Sequence, residues 1–116
     1  MKRSGHIALV PFLRVDLTPG KPRPVLLLAR VPGPYDDWLV CMLSTRLYQE
    51  VEGFDEMIDT EADDFDRSGL KTSSVIRVAR LAVVSEAMLL GRIGAIGEER
   101  LGRIRKNLAD WISGTE

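Results

Sequence analysis

Apolar residues in the first half of the chain come in short blocks separated by prolines and glycines, a spacing that predicts strands rather than helices. His6-Ile7-Ala8-Leu9-Val10-Pro11-Phe12 is partly β-branched and meets a proline near its end, which predicts a first strand. Residues 13–23 gather Asp16, Thr18, Pro19, Gly20, Lys21 and Pro22, a density of turn-formers that predicts a basic surface loop. Pro24-Val25-Leu26-Leu27-Leu28-Ala29 is continuously apolar over a strand's length and predicts the central strand, covered on both faces. After Pro32-Gly33-Pro34, the run Trp38-Leu39-Val40-Cys41-Met42-Leu43 predicts a third strand, which stops at Ser44-Thr45-Arg46. All six prolines lie between positions 11 and 34, so few residues there can be helical.

The second half reads differently. Residues 49–68 are acidic and irregular, with Phe54, Met57 and Ile58 as anchors, and predict a short strand within a long loop that Gly69 closes. Ser74-Val75-Ile76-Arg77-Val78-Ala79-Arg80-Leu81 alternates in part and predicts a strand carrying Arg77 in an apolar setting. A brief turn or helical segment is expected near Glu86 to Leu90. From Glu98 to Ile112, Leu101, Ile104, Leu108, Trp111 and Ile112 fall at helical spacing, with Glu98 and Glu99 at the end that favours negative charge. Four or five strands before a closing amphipathic helix, without βαβ alternation or an internal repeat, predict a mainly β fold: a small, strongly bent antiparallel barrel.

At 116 residues and 45% hydrophobic content the chain is expected to form one domain over 1–116 with a real core. No apolar run approaches the roughly 20 residues of a membrane helix, and Met1-Lys2-Arg3 leads into a β-like stretch, so the cytoplasm is the expected compartment. One cysteine, Cys41, and one histidine, His6, exclude cysteine-based metal clusters, and no metal or other cofactor is expected. A Ser-His-Asp hydrolase would have to rest on His6 alone. Sixteen basic residues against seventeen acidic ones exclude a strongly basic nucleic-acid domain. The charge is nonetheless segregated. Residues 1–35 hold six Lys/Arg and one Asp, a net +5, residues 36–68 hold eleven acids and two bases, a net −9, and residues 69–116 return to +3. Either the two signs form faces for a polyanion and a basic partner, or they solvate loops.

Arg23 stands between two prolines, and Pro24 keeps its backbone extended at the start of the central strand. A guanidinium so rooted can clamp a phosphate or the extra charge of a phosphorane, although a solvated arginine also suits a strand start. Ser44 or Thr45 could donate to a phosphate oxygen beside it. Arg46 could track a nucleic-acid backbone or form a surface ion pair. His6 has the intrinsic pKa for proton transfer but also fits a structural role on an early strand. Trp38 and Trp111 lie in apolar patterns and read as core or interface rather than as base-stacking residues.

The order of Gly5-His6-Ile7-Ala8-Leu9-Val10-Pro11-Phe12, Asp16-Leu17, Lys21-Pro22-Arg23-Pro24-Val25-Leu26, Met42-Leu43-Ser44-Thr45-Arg46, Ser68-Gly69-Leu70, Ser74-Val75-Ile76-Arg77-Val78 and Ile93-Gly94 resembles the PemK/MazF toxins of type II toxin–antitoxin systems over nearly the whole chain. The resemblance implies an SH3-like barrel with a C-terminal helix, a homodimer and a metal-independent endoribonuclease, an mRNA interferase that cuts single-stranded RNA. It also implies an antitoxin partner that covers the substrate groove. By the same resemblance Arg23 matches the catalytic arginine, Ser44 the strand-ending hydroxyl with Thr45 as its neighbouring alternative, and Arg77 an arginine with an acid or transition-state role. The loop from Leu13 to Pro22 matches the loop that shapes the RNA channel, with Arg14 and Lys21 as candidate phosphate contacts. The chain departs from the family pattern at His6 and Ala79, where acidic residues are common, and the second is the family's proposed base. His6 then takes over the base role, or catalysis rests on positioning and charge, or the protein binds without cutting. The rival function is therefore a non-catalytic module on the same barrel, either a gyrase-poisoning toxin in the manner of the CcdB proteins or a member that only binds RNA or antitoxin. A peptide-binding SH3-like adaptor is a third reading, for which the chain has only seven aromatic residues.

Overall fold

Val25, Leu26, Leu27 and Leu28 are at most 2% exposed, so the strand that carries them, β2 (Arg23–Arg30), is covered on both faces as its unbroken apolar run predicts. The computed structural model describes residues 2–11 and 20–114. Around β2 it places β1 (His6–Val10), β3 (Asp37–Ser44), β4 (Glu56–Ile58), β5 (Ser74–Ser85) and β6 (Gly91–Ala95), with a one-turn helix α1 (Phe65–Ser68) and a long C-terminal helix α2 (Glu98–Ser113). The strands form one antiparallel sheet in the order β4-β5-β3-β2-β1-β6, bent into a half-barrel. Register shifts at Ile7/Ala8, Leu27/Ala29 and Cys41/Met42 supply the bending, because each lets extra residues accumulate on one strand and raises the local twist.

One face of the sheet packs Ile7, Leu26, Leu28, Cys41, Ile76 and Val78 against Leu101, Ile104 and Leu108 of α2. Each of those three helix residues contributes roughly 1.5–3 kcal/mol by burial. The other face gathers Ala8, Val10, Val25, Leu27, Trp38, Val40 and Leu89. The edge strand β6 is covered on its outer side by the one-turn helix α1. A Cβ at Gly94 would lie 2.2 Å from the Arg67 carbonyl oxygen, and one at Gly69, which has φ +74°, 2.1 Å from that of Ile93. Only glycines allow α1 to rest on β6 this closely.

Several expectations need correction. The sheet has six strands rather than four or five: β6 was missed because Gly91 and Gly94 interrupt its apolar pattern, yet both are backbone partners of β1. The fifth strand runs on past Leu81 to Ser85, its second half paired only with β3 among the described residues. The first strand ends at Val10, and Phe12 lies outside the described residues. The apolar stripe of α2 is buried through Leu108, but Ile112 is 68% exposed and Trp111, 42% exposed, meets Phe54 in a T-shaped contact with ring centroids 5.9 Å apart. Trp38 is core, 4% exposed, with Nε1–H donating to Glu86 at 2.7 Å. Among the described residues no helix is long and apolar enough to cross a membrane.

Candidate functional site

The register of the sheet brings the predicted chemistry together. β1 pairs Val10 with Arg23, and β3 pairs Ser44 with Val75. Continuing the β2–β3 register two residues beyond Val25↔Met42 sets Arg23 opposite Ser44. Val10, Arg23, Ser44 and Val75 therefore form one row across four strands, and side chains directly opposite in such a row are rooted about 5 Å apart. Pro24 takes no part in a ladder as a donor, and at this strand end it lies opposite Leu9 of β1 while keeping Arg23 extended.

Above the end of this row lies a cleft of about 550 Å³, the volume of a small-ligand site rather than of a single phosphate. Arg23, Ser44, Thr45, Arg46, Gln49 and Ser74 provide its polar lining, and Val10, Pro24, Met42, Val84 and Met88 much of its apolar wall. Neither a carboxylate nor an imidazole lines it among the described residues. Arg23, Thr45 and Arg46 are exposed and Ser44 is half-buried. The Ser44 hydroxyl oxygen accepts the Arg46 N–H at 3.0 Å, which leaves its own O–H to donate to a bound acceptor. The same contact starts the 3-10 turn Leu47–Gln49, closed by the Gln49 N–H donating to the Arg46 carbonyl at 3.0 Å, and this turn sets Gln49 on the rim.

Arg77 sits opposite Met42, two residues along β3 from Ser44, so it shares the face of the sheet but does not line the cleft. Its Nε lies 3.6 Å from Asp55, a carboxylate that is 3% exposed. Asp55 also accepts the Val51 N–H at 2.9 Å and, where β5 departs from the β3 register, the Val78 N–H at 2.9 Å. The acid beside Arg77 thus comes from the turn before β4, and Ala79 is exposed. Sequence reasoning missed Asp55, since nothing local links it to a strand twenty residues later. It also missed Gln49, Met42 and Met88, which carry no motif.

Three predicted residues are not with this group. His6 is at the opposite end of β1 from Val10, four residues or roughly 13 Å away. Its Nδ1 accepts the Arg3 N–H at 3.0 Å, and burial, then Arg92 and Arg3, hold its pKa below the ordinary value. Of the two roles open to it in the sequence, this position agrees with the structural one. Lys21 is exposed and outside the cleft lining, and Arg14 lies outside the described residues. Cys41 is buried, and burial followed by the charge of Asp55 pushes its thiol up to about 12, so it is inert near neutrality.

Part of the acidic segment is answered within the chain. Arg100, with 11% of its side chain exposed, donates to Asp64 from Nε at 2.8 Å and from Nη2 at 3.1 Å. Its Nη1 donates to Glu56 at 3.0 Å and to the Met57 carbonyl at 2.8 Å. Arg103 adds a second guanidinium to Glu56. Asp64 also accepts the Gly97 N–H at 2.9 Å, capping α2 from outside the helix. Burial alone would raise the Asp64 carboxyl, but the hydrogen bonds from Arg100 and Gly97 outweigh it and hold the group below its ordinary value.

Comparison with known proteins agrees with the fold and with the order of the motifs. The family described as PemK-like, MazF-like toxin of type II toxin–antitoxin system matches residues 3–112. The fold is similar to that of the Mycobacterium tuberculosis toxin MazF-mt6, with a TM-score of 0.65 at 18% sequence identity over 93% of this chain and 96% of that one. No curated protein sequence matches the chain.

Proposed function

Because the chain belongs to the PemK-like, MazF-like toxins of type II toxin–antitoxin systems, we propose that it is an endoribonuclease that cuts single-stranded RNA without a metal, and that the Arg23–Ser44 cleft is where it cuts. The observation that carries this reading is that Arg23 from β2 and Ser44, Thr45 and Arg46 from the end of β3 line one cleft. Arginines beside hydroxyls suit a phosphodiester, which takes charge-assisted hydrogen bonds from both.

In the proposed reaction the ribose 2′-oxygen attacks the adjacent phosphorus as the bond from phosphorus to the 5′-oxygen breaks, leaving a 2′,3′-cyclic phosphate and a 5′-hydroxyl. Arg23 stabilises the charge that grows on the non-bridging oxygens. Ser44 donates to one of them and fixes the phosphate, with Thr45 beside it, and Arg46 holds the neighbouring backbone. Arg77, steadied by Asp55, adds positive potential from the next strand. The 2′-proton passes to water in this open cleft and water protonates the leaving oxygen. The chain acts as a homodimer, in the cytoplasm, and its antitoxin silences it by covering the cleft.

The test is incubation with a long single-stranded RNA in EDTA beside Arg23→Ala, with the new ends mapped. The wild type is expected to give discrete fragments with 5′-hydroxyl ends, and Arg23→Ala to cut about 100- to 1,000-fold more slowly. Equal cutting by both removes Arg23 from the reaction. Ala79, at the position where the family commonly carries an acid, favours a second reading, a toxin that binds RNA or antitoxin without cutting, which predicts no fragments but measurable RNA binding.

A further inference from the structure

The apolar stripe of α2 does not stop where the core does. Leu101, Ile104 and Leu108 are buried, and the same stripe runs on one turn further into Trp111 and Ile112, which are exposed. Trp111 stands edge-on to Phe54, and Phe54 shares its turn with Val51, more than half exposed, whose carbonyl accepts the Phe54 N–H at 3.1 Å. Single exposed apolar residues are ordinary on a surface, but a group of them on one support marks an interaction site. The support is fixed at both ends. Buried Asp55 accepts the Val51 N–H at 2.9 Å, and the Asn107 side chain of α2 donates to the Phe54 carbonyl at 3.1 Å. A partner that lands here has little left to order.

The rim of this face is acidic. Glu50 and Glu52 flank Val51 and make no ion pair among the described residues, whereas Asp110 has its own lysine, Lys106. The last turn of α2 holds no basic residue, so no side chain offsets the negative end of the helix dipole. Charge of this sign selects the occupant. A second copy in a symmetric contact would bring Glu50 and Glu52 against their own counterparts, and an anionic membrane would meet the same repulsion. A basic segment is attracted instead.

We propose that the face formed by Val51, Phe54, Trp111 and Ile112 docks a basic, amphipathic segment of another protein. Large apolar side chains of that segment seat on Trp111 and Ile112, and its lysines or arginines lie toward Glu50, Glu52 and the end of α2. Trp111 is the anchor, since a held tryptophan supplies more contact than any other residue type at an interface, and the rim charges set orientation and association rate. None of the four apolar residues lines the Arg23–Ser44 cleft, so the proposal is independent of RNA cutting.

The probe is a synthetic amphipathic helix of leucine and lysine, with a leucine and glutamate helix of the same pattern as its control. Binding is read from tryptophan emission: Trp38 is buried, so a blue shift reports on Trp111, the other of the chain's two tryptophans. The lysine helix is expected to shift the emission and the glutamate helix to leave it unchanged. Ile112→Ser, at an exposed position outside the core, is expected to weaken the lysine helix about tenfold. Glu50→Gln combined with Glu52→Gln is expected to weaken it about threefold at low salt, a difference that fades at high salt. Leu90→Ser, at an exposed apolar position beside β1, is expected to change nothing. Equal binding of both helices, no shift with either, or indifference to Ile112→Ser overturns the proposal. Sedimentation in which the wild type self-associates and Ile112→Ser does not gives the face to a second copy and also overturns it. Co-sedimentation of the wild type, but not Ile112→Ser, with phosphatidylglycerol vesicles overturns it in favour of a membrane.

Discussion

Arginines occur in two settings in this molecule, and the contrast separates structure from function. At the foot of α2, Arg100 meets Asp64, Glu56 and the Met57 carbonyl through all three of its nitrogens, nearly out of water. At the end of β2 and β3, Arg23 and Arg46 line an open cleft. Both regions concentrate positive charge. In the first the counter-charges are built into the chain, and the result is a joint between α2, β4 and the loop before α1. In the second the guanidinium groups stand with the Ser44 and Thr45 hydroxyls around a cleft open to solvent. Glu56 and Asp64 of the −9 segment belong with the first setting, as partners of Arg100 and Arg103.

The sharpest way to break this comparison is to exchange the effects of the two arginines. Arg100→Ala leaves the largely buried Asp64 carboxylate without its guanidinium partner and Glu56 with Arg103 alone, and is expected to lower stability by about 3–5 kcal/mol, read from denaturant unfolding. Arg23→Ala is expected to change stability by about 1 kcal/mol or less while cutting fails. If Arg23→Ala unfolds the protein and Arg100→Ala does not, the division of roles is wrong. A smaller loss, about 1–3 kcal/mol, is expected of Gly94→Ala, whose new methyl would collide with the Arg67 carbonyl and lift α1 from β6. An unchanged unfolding midpoint would mean that α1 does not cover β6.

pH sharpens the contrast further. Asp64 is held below its ordinary value, so its stabilising contribution is complete above about pH 4 and is lost as pH falls through the folded-state value. Denaturant midpoints should therefore drop in acid, and Asp64→Asn should start lower and show a shallower drop. The smallest effect concerns His6. Its folded-state pKa is lowered, so the unfolded chain takes up its proton first and stability declines slightly as pH falls below about 6.5. His6→Ala should remove that decline and leave the pH dependence of RNA cutting unchanged. A cutting profile that loses a group near neutrality in His6→Ala would return His6 to the reaction.

The linear pattern already determined a good deal. The apolar runs fixed β2 and β3, and the 3.6-residue spacing fixed α2 almost to its ends, because hydrophobic periodicity is a local property. Arg23 and the Ser44-Thr45 pair were legible because a proline and an abrupt change from apolar to hydroxyl residues mark strand ends. What only the tertiary structure decided are relations between strands. The antiparallel register set Arg23 opposite Ser44 and sent His6 to the far end of β1. The departure of β5 from the β3 register brought Asp55 to Arg77, and the turn after β3 raised Gln49 into the cleft. The edge strand β6 was hidden for the same reason, since Gly94 answers to the backbone of α1 and both of its glycines pair with β1 near the other end of the chain. Register and close approach depend on which strands meet, and no run of neighbouring residues contains that information.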